Sequence, residues 1–384
     1  MVNKMREIVI VNHAANYLTI GIANAFAENS EKVSLITGNI HTQGEKLNEG
    51  IDINYINKWK EENDAGKVWI HIEALVRIWL LLLFKYRHFE VFFISAPPMG
   101  YLLNIFLPHK FSMLIWDVYP DALKILGIKE SHPVYRVWAR MNKKSFVKAY
   151  KLFTISERMA DLLEKYTPRD KIIVQPIWSI FQENRKTEKN NNLFIKRHGL
   201  QGKFIVQYSG NIGLTHKIEV MVELAEKMQT NNHILFLIIG RGPRKKVLQE
   251  TVAVKKLDNC LFLPFQSDEM FPNSLSAADI GVVILDERTS RGSVPSKSYN
   301  LMSYGIPSLY IAAPDSELQA YADNYQHAAC YTEKQLDLAA NFILELSRSP
   351  EKYRAYSQNS LEASKHFRRD NADKIVNYYL KDKE

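Results

Sequence analysis

Along the first 180 residues, short runs of β-branched and aromatic residues alternate with stretches of helical period. The runs are Glu7–His13, Lys32–Thr37, Glu90–Ser95, Ser112–Asp117, Leu152–Ser156 and Lys171–Gln175. They are apolar at consecutive positions rather than at every second one, which suits strands buried on both faces of a parallel sheet. Between Phe181 and Lys196 the sequence FQENRKTEKNNNLFIK clusters charged and amide residues without a period and reads as a linker. The alternation then resumes with Phe204–Ser209, His233–Gly240, Asn259–Phe265, Ile280–Leu285 and Pro307–Ala312, and from Pro350 onward the pattern is two helices. The expectation is an α/β chain of two doubly wound, Rossmann-like domains: residues 1–180, a linker at 181–200, a second domain at 201–365 and a closing helix at 366–384.

Composition narrows this picture. The chain has 384 residues, 46% apolar and 24% charged, so it is long enough for two cores, and it shows no low-complexity tract or short-period repeat. The two cysteines, Cys260 and Cys330, make no disulfide framework and point to a reducing compartment. The segment Val68–Phe84 is interrupted by His71, Glu73 and Arg77, and its unbroken apolar run is shorter than the ~20 residues a membrane span needs. Residues 1–6 carry no signal-peptide pattern, and the reading is a cytoplasmic protein. A formal charge of +8 leaves nucleic acid, an anionic membrane and a phosphorylated small molecule as partners.

Several chemistries lack a sequence basis. There is no Asp-x-Asp pair, no His-Glu-x-x-His, no Cys-x-x-Cys, no P-loop and no Gly-x-Ser-x-Gly elbow. Gly240-Arg241-Gly242 follows a strand, but Lys245 stands where a dinucleotide fingerprint needs its third glycine. The positive signals lie at two turns. In Arg291–Pro307 (RGSVPSKSYNLMSYGIP) the small residues Gly292 and Ser293 precede a helix start near Ser296, where free amides favour an anion. Lys297 in that first turn is disfavoured by the helix dipole unless a phosphate sits beside it. The second turn, Tyr208-Ser-Gly-Asn-Ile-Gly213 with Lys217 beyond it, follows the first strand of the same domain. Each turn alone also suits an ordinary tight loop and a solvated lysine. Two of them at strand C-terminal ends of one parallel sheet point at the crevice where open α/β sheets bind ligands.

Taken as a set, SGNIG, IIGRGP, NCLFLPF, SAADIGVVIL and VPSKSYNLMSYGIP resemble the retaining glycosyltransferases of family 4, in particular bacterial members with a Val-Pro-Ser-Lys signature that build surface polysaccharides. Weaker support in the first half comes from SAPP (Ser95–Pro98), DVYPDAL (Asp117–Leu123) and TISERM (Thr154–Met159). The resemblance implies a GT-B fold, with two Rossmann-like domains facing across a cleft and the C-terminal helix returning to the first. It implies that Gly210 and Gly213 lie under a donor diphosphate and that Lys297, with Ser293 and Ser296, binds the phosphates. Asn300 stands where many relatives have a ribose-binding glutamate, and Asn211 where many have a phosphate-binding arginine, which leaves Lys217 and Lys297 as cations. Phe265 would flank the base, and Arg241 departs from a commonly acidic or polar residue.

On the acceptor side the resemblance gives Asp117 and His13 as catalytic residues beside Lys297, and Ser95, Pro97 and Asp121 as acceptor contacts; loop hydrogen bonding is an equal role for Asp117 and His13, and Ser95–Pro98 also suits a rigid strand-to-helix connection. No metal and no cofactor is expected, because fixed amides and lysines can stabilise a leaving phosphate. The implied reaction is same-face transfer from a nucleotide sugar, UDP favoured, to a glycan acceptor carried on a polyprenyl diphosphate. Arg136–Lys151 (RVWARMNKKSFVKAYK) has six basic residues and no acid in sixteen, and Val134, Trp138, Met141 and Phe146 recur at near-helical spacing. With Trp69 and Trp79 it suits an anionic membrane interface on the inner face of the cytoplasmic membrane, or else core helices with solvated lysines. A nucleotide-sugar epimerase of the same fold and a non-catalytic sugar-nucleotide-binding protein are the alternatives. Nucleic-acid binding lacks an aromatic platform or helix-turn-helix spacing.

Overall fold

The structure, a computed structural model, describes residues 6–58, 64–182, 186–213 and 217–381. Residues 1–5 of the N-terminal reading, 183–185 of the expected linker and 214–216 before Lys217 lie outside the described residues. The chain divides into two compact units. One runs to Ile180 and takes up the chain again at Arg368; the other is Phe181–Phe367.

The first unit holds a parallel sheet of seven strands: β1 Glu7–Val11, β2 Lys32–Thr37, β3 Asp52–Tyr55, β4 Glu90–Ile94, β5 Phe111–Ile115, β6 Leu152–Thr154 and β7 Ile172–Val174. Their order is β3-β2-β1-β4-β5-β6-β7, and every pairing is parallel. Ile8, Val9, Ile10 and Val11 are all buried, as consecutive apolar positions require when helices cover both faces. Asn16 caps the helix Tyr17–Ala27 by accepting from the amides of Leu18 and Thr19. The helix Asn371–Leu380 packs on it, with the Tyr379 ring edge-on to Phe26 at 5.1 Å. Strand β3 (DINY) had no continuous apolar run to reveal it, because an edge strand is covered less.

The second unit repeats the plan with β8 Phe204–Ser209, β9 Ile234–Ile239, β10 Cys260–Leu263, β11 Ile280–Ile284, β12 Ser308–Ile311 and β13 Ala328–Tyr331, ordered β10-β9-β8-β11-β12-β13 and all parallel. Here too the unannounced strand, β13, is an edge. Cys260 and Cys330 are free thiols on the two outermost strands. The stretch expected as a linker is built into this unit. Asn192 caps the helix Leu193–His198, and buried Phe194 and Ile195 pack with Ile205, Leu235 and Leu237. Lys186 donates to the Ala278 carbonyl and the Tyr353 hydroxyl, and Lys189 pairs with Asp279 at 2.5 Å. The charges that looked like solvation instead satisfy carbonyls and a carboxylate of the unit's own core.

Both sheets reverse their winding beside the first strand, between β1 and β4 in one unit and between β8 and β11 in the other. The C-terminal ends of those strands are where a doubly wound sheet leaves an open crevice.

Candidate functional site

In the second unit the crevice is floored by two interlocked glycine turns. The amide of Gly210 donates to Ile239, that of Ile212 to the Arg241 carbonyl at 2.8 Å, and that of Gly240 to Leu263. A Cβ on Gly240 would stand 2.0 Å from the Gly210 carbonyl oxygen, and one on Gly242 would stand 2.2 Å from that of Ile212, so the backbones touch where side chains would be. Lys245, at the position of the missing third glycine, donates from Nζ to the carbonyls of Gly240 and Leu263.

Lys297 closes this floor from the other side. It opens the helix Lys297–Ser303, which seats on β11 because Gly281 leaves room: a Cβ there would lie 2.2 Å from Leu301. The Lys297 ammonium lies 4.1 Å from the centre of the Tyr208 ring and against the Gly210 Cα. Among the described residues it has no ion pair, and desolvation by burial pushes its pKa down to about 8. A buried ammonium without a counter-ion is costly, and an anion removes that cost. Asn300 lies one turn on and lines a small cavity of about 40 Å³ with Lys297. Ser293 is half-buried and Ser296 exposed in the approach to the helix.

The remaining predicted donor residues divide. The Asn211 carboxamide folds back over the glycine turns, 3.2 Å from a Cβ on Gly213 and 3.0 Å from one on Gly242, and its backbone carbonyl accepts from the Tyr208 hydroxyl. Arg241 lies over the exposed Phe265 ring at 5.5 Å, at the rim. Lys217 is elsewhere: it pairs with Glu333 at 2.5 Å and lines a charged pocket of about 330 Å³ with Arg244, Asp286 and Arg288. Its charge is already met inside the protein. The sequence marks Tyr208 only as the start of a glycine turn, not as the ring under the ammonium, and does not mark Gln207, a polar residue inside a buried strand that lines the same cavity.

In the first unit His13, Ser95 and Asp117 follow β1, β4 and β5, three adjacent strands, and so gather at one end of the sheet. Backbone bonds tie them: the His13 amide donates to the Ala96 carbonyl at 3.0 Å, and Ser95 Oγ accepts from the Trp116 amide. His13 is buried, and its Nε2 lies 2.9 Å from the Asn57 carbonyl, which fixes the proton on Nε2 and leaves Nδ1 as an acceptor with no partner among the described residues. Burial lowers its pKa, against the Asn57 bond and the charge of Glu73, so the ring is neutral near pH 7. His71 meets it edge-on at 5.8 Å. Asp117 is half-buried, and Pro97 follows Ser95 in the strand-to-helix turn.

Two expectations are corrected. Asp121 is not presented to an acceptor: its carboxylate receives the hydroxyls of Tyr135 at 2.8 Å and Tyr166 at 2.5 Å and the Lys165 ammonium at 3.0 Å. Burial raises its pKa, but those donors outweigh burial and hold it below the usual carboxylate range. Nor does the helix Pro133–Lys148 turn its aromatic face outward. Trp138 and Phe146 are core residues; Trp138 stacks on Tyr119 at 5.3 Å and donates to the Tyr101 hydroxyl. What it exposes is Val134, Arg136, Val137, Arg140, Lys143, Lys144 and Val147. Among the described residues no group of three or more His, Cys, Asp or Glu is placed to hold a metal ion, and no helix is long and apolar enough to cross a membrane.

Residues 190–363, which contain both glycine turns and Lys297, match the family described as Glycosyl transferases group 1. WcaI of Escherichia coli (strain K12), named as a colanic acid biosynthesis glycosyl transferase, is 25% identical over 227 residues, covering 58% of this chain and 56% of WcaI. WbjE of Pseudomonas aeruginosa, named as a glycosyltransferase, is 26% identical over 230 residues with the same coverage. The matched stretch thus spans little more than half the length of these curated relatives. Among solved structures, WaaG, a glycosyltransferase involved in lipopolysaccharide biosynthesis, superposes with a TM-score of 0.71 at 14% identity, over 97% of this chain and 99% of WaaG. Anabaena HepE in complex with UDP and glucose gives 0.74 at 11% identity, over 98% and 99%. The fold is GT-B, with two Rossmann-like α/β units.

Proposed function

We propose that this protein is a retaining glycosyltransferase of family 4 that moves a sugar from a nucleotide diphosphate sugar, UDP favoured, to a glycan acceptor on a polyprenyl diphosphate during surface-polysaccharide synthesis. The observation that carries this reading is Lys297, whose ammonium is desolvated against the Gly210 turn and has no ion pair among the described residues. The names of WcaI and WaaG support the polysaccharide context, and HepE with UDP supports the donor class.

In this reading the donor's phosphates rest on the Gly210–Gly213 turn, and Lys297 neutralises the charge that develops on the departing phosphate. Fixed amides and one lysine supply that charge, so the reading needs no metal. The acceptor's hydroxyl attacks the sugar's anomeric carbon from the face that the diphosphate leaves, the anomeric carbon–oxygen bond to the diphosphate breaks, and the departing diphosphate helps to take the hydroxyl proton. His13 Nδ1 and Asp117 are the polar groups offered on the acceptor side. Lys217, held by Glu333, joins the donor only by exchanging that partner.

We further infer peripheral contact with an anionic membrane on the cytoplasmic side, but through a different surface from the buried Trp138 face. The helix Asp64–Phe84 shows water an apolar stripe of Trp69, Ile72, Val76, Trp79 and Phe84 at three- to five-residue spacing, with Trp69 68% and Phe84 75% exposed. Its end is linked to the basic helix: His109 bonds the Tyr86 carbonyl, and Lys148 donates to the Asn104 and Leu107 carbonyls beside it. An exposed aromatic stripe whose helix end is linked to a helix with exposed arginines and lysines suits a lipid headgroup boundary.

The test is incubation with a panel of UDP-, GDP- and ADP-sugars, with and without a polyprenyl-diphosphate-linked acceptor. Release of nucleoside diphosphate that requires acceptor is expected, and Lys297→Ala abolishes it. A new nucleotide sugar formed without acceptor would establish the epimerase instead.

A further inference from the structure

Strand β8 alternates. Val206 and Tyr208 enter one packed cluster, while Ile205 enters another with Phe194 and Leu237. Gln207 shares the parity of Ile205 and breaks the apolar pattern. It is 3% exposed, and its Oε1 has no hydrogen-bond partner among the described residues. Leaving a buried amide oxygen unpaired is destabilising, a cost that a leucine at the same place would avoid. Gln207 lines the cavity of about 40 Å³ whose other polar walls are Ser209, Lys297 and Asn300 and whose apolar walls include Phe271 and Leu275. About 10–15 Å³ of such space admits one water, so this cavity admits a hydroxyl group with a water or two beside it.

We propose that this cavity is a hydroxyl-reading subsite in which Gln207 Oε1 accepts a hydrogen bond from one hydroxyl of the bound nucleotide sugar, making Gln207 a specificity-determining residue. The inference rests on Lys297 as the phosphate-holding residue, because Lys297 lines the same cavity and brings the donor to it. The hydroxyl belongs either to the ribose or to the transferred sugar, and both present the same O–H to the same acceptor. A donor without that hydroxyl leaves the amide unpaired and is rejected, the strongest form of discrimination that a small pocket achieves.

The experiment is calorimetric titration of the full chain with UDP, GDP, their 2′-deoxy forms, UDP-glucose and GDP-mannose, on the native protein and on Gln207→Leu, with Gln207→Met as a second variant that keeps the side chain's length. If the ribose is read, the native protein binds the 2′-deoxy form at least tenfold more weakly, and both variants lose that preference. If the sugar is read, the native protein binds one nucleotide sugar at least tenfold more tightly than its nucleotide, and both variants lose that difference. Folded variants that bind every probe as the native protein does overturn the proposal, the cavity then holding water, as does failure of both variants to fold. Loss of binding in Lys297→Ala with Gln207→Leu unchanged overturns this proposal alone. No binding of any probe by the native protein overturns the donor reading with it.

Discussion

The ammonium of Lys297 fills the space that a side chain on Gly210 would need: a Cβ there would stand 2.6 Å from Lys297 Nζ. The contact joins the turn after β8 to the helix after β11 across the point where the sheet reverses. Gly210→Ala therefore displaces the flexible end of a lysine and strains a backbone held at φ +158°. We expect about 1 kcal/mol of lost stability and at least tenfold weaker nucleotide-sugar binding. Gly240→Ala is the counterpart, since its Cβ would meet the Gly210 carbonyl at 2.0 Å. There the backbone must move, and a loss of about 2–3 kcal/mol in denaturant melts is expected. Equal stability of the two variants would contradict this assignment.

The depressed Lys297 pKa, about 8, sets a pH dependence. The protonated form binds the donor's diphosphate, so affinity is constant below pH 8 and falls above it, by up to tenfold per unit. Calorimetry from pH 6.5 to 9.5 with a nucleotide sugar, whose phosphates do not titrate there, measures this. In the free protein the sign for stability is the reverse. An unfolded lysine keeps its proton to about 10.4, so the unfolded state binds more protons between pH 8 and that value and stability rises with pH. Lys297→Met should flatten both curves and melt higher than the native protein at pH 7. An affinity flat across pH 8 would remove Lys297 from the phosphate site.

Asp121→Ala tests whether that carboxylate is structural. Removing it leaves Tyr135 and Tyr166 without their acceptor and Lys165 with Glu130 alone. A loss of about 3 kcal/mol, or roughly 6–12 °C in the melting of the first unit, is expected. Because the folded pKa is lowered, the stabilisation is present above the unfolded value of about 3.9 and disappears as pH falls through the folded one, so the native and variant melts converge in acid. A fully stable variant with a raised acceptor KM would return Asp121 to the acceptor site.

Trp69→Ser combined with Trp79→Ser removes two exposed rings without touching the core. Burying each ring in lipid contributes about 2 kcal/mol, so binding to phosphatidylglycerol vesicles should weaken at least tenfold, with helix content unchanged. Unchanged vesicle binding would dismiss this face. A native dimer dissolved by the same pair would reassign it to a second copy of the chain.

The doubly wound plan was legible because its physics is local. Strands buried on both faces need consecutive apolar residues, and Lys32–Thr37 and Phe204–Ser209 coincide with their runs. The edge strands Asp52–Tyr55 and Ala328–Tyr331 escaped because their partly covered positions carry no run of large apolar residues, whereas the opposite edges Ile172–Val174 and Cys260–Leu263 keep theirs. The glycines of SGNIG and GRG were legible for the same reason, since close backbone approach leaves no substitute for glycine. What no local pattern encodes is which charges and rings are already spent. Lys217 meets Glu333, Asp121 meets Tyr166, Trp138 turns to Tyr119, and the lysines of the expected linker reach Ala278 and Asp279. Pairing and desolvation depend on residues that the fold brings together from distant parts of the chain. Sequence alone therefore determined where a crevice forms and which turns floor it. Only the tertiary structure decided that Lys297, at that crevice, has no ion pair among the described residues.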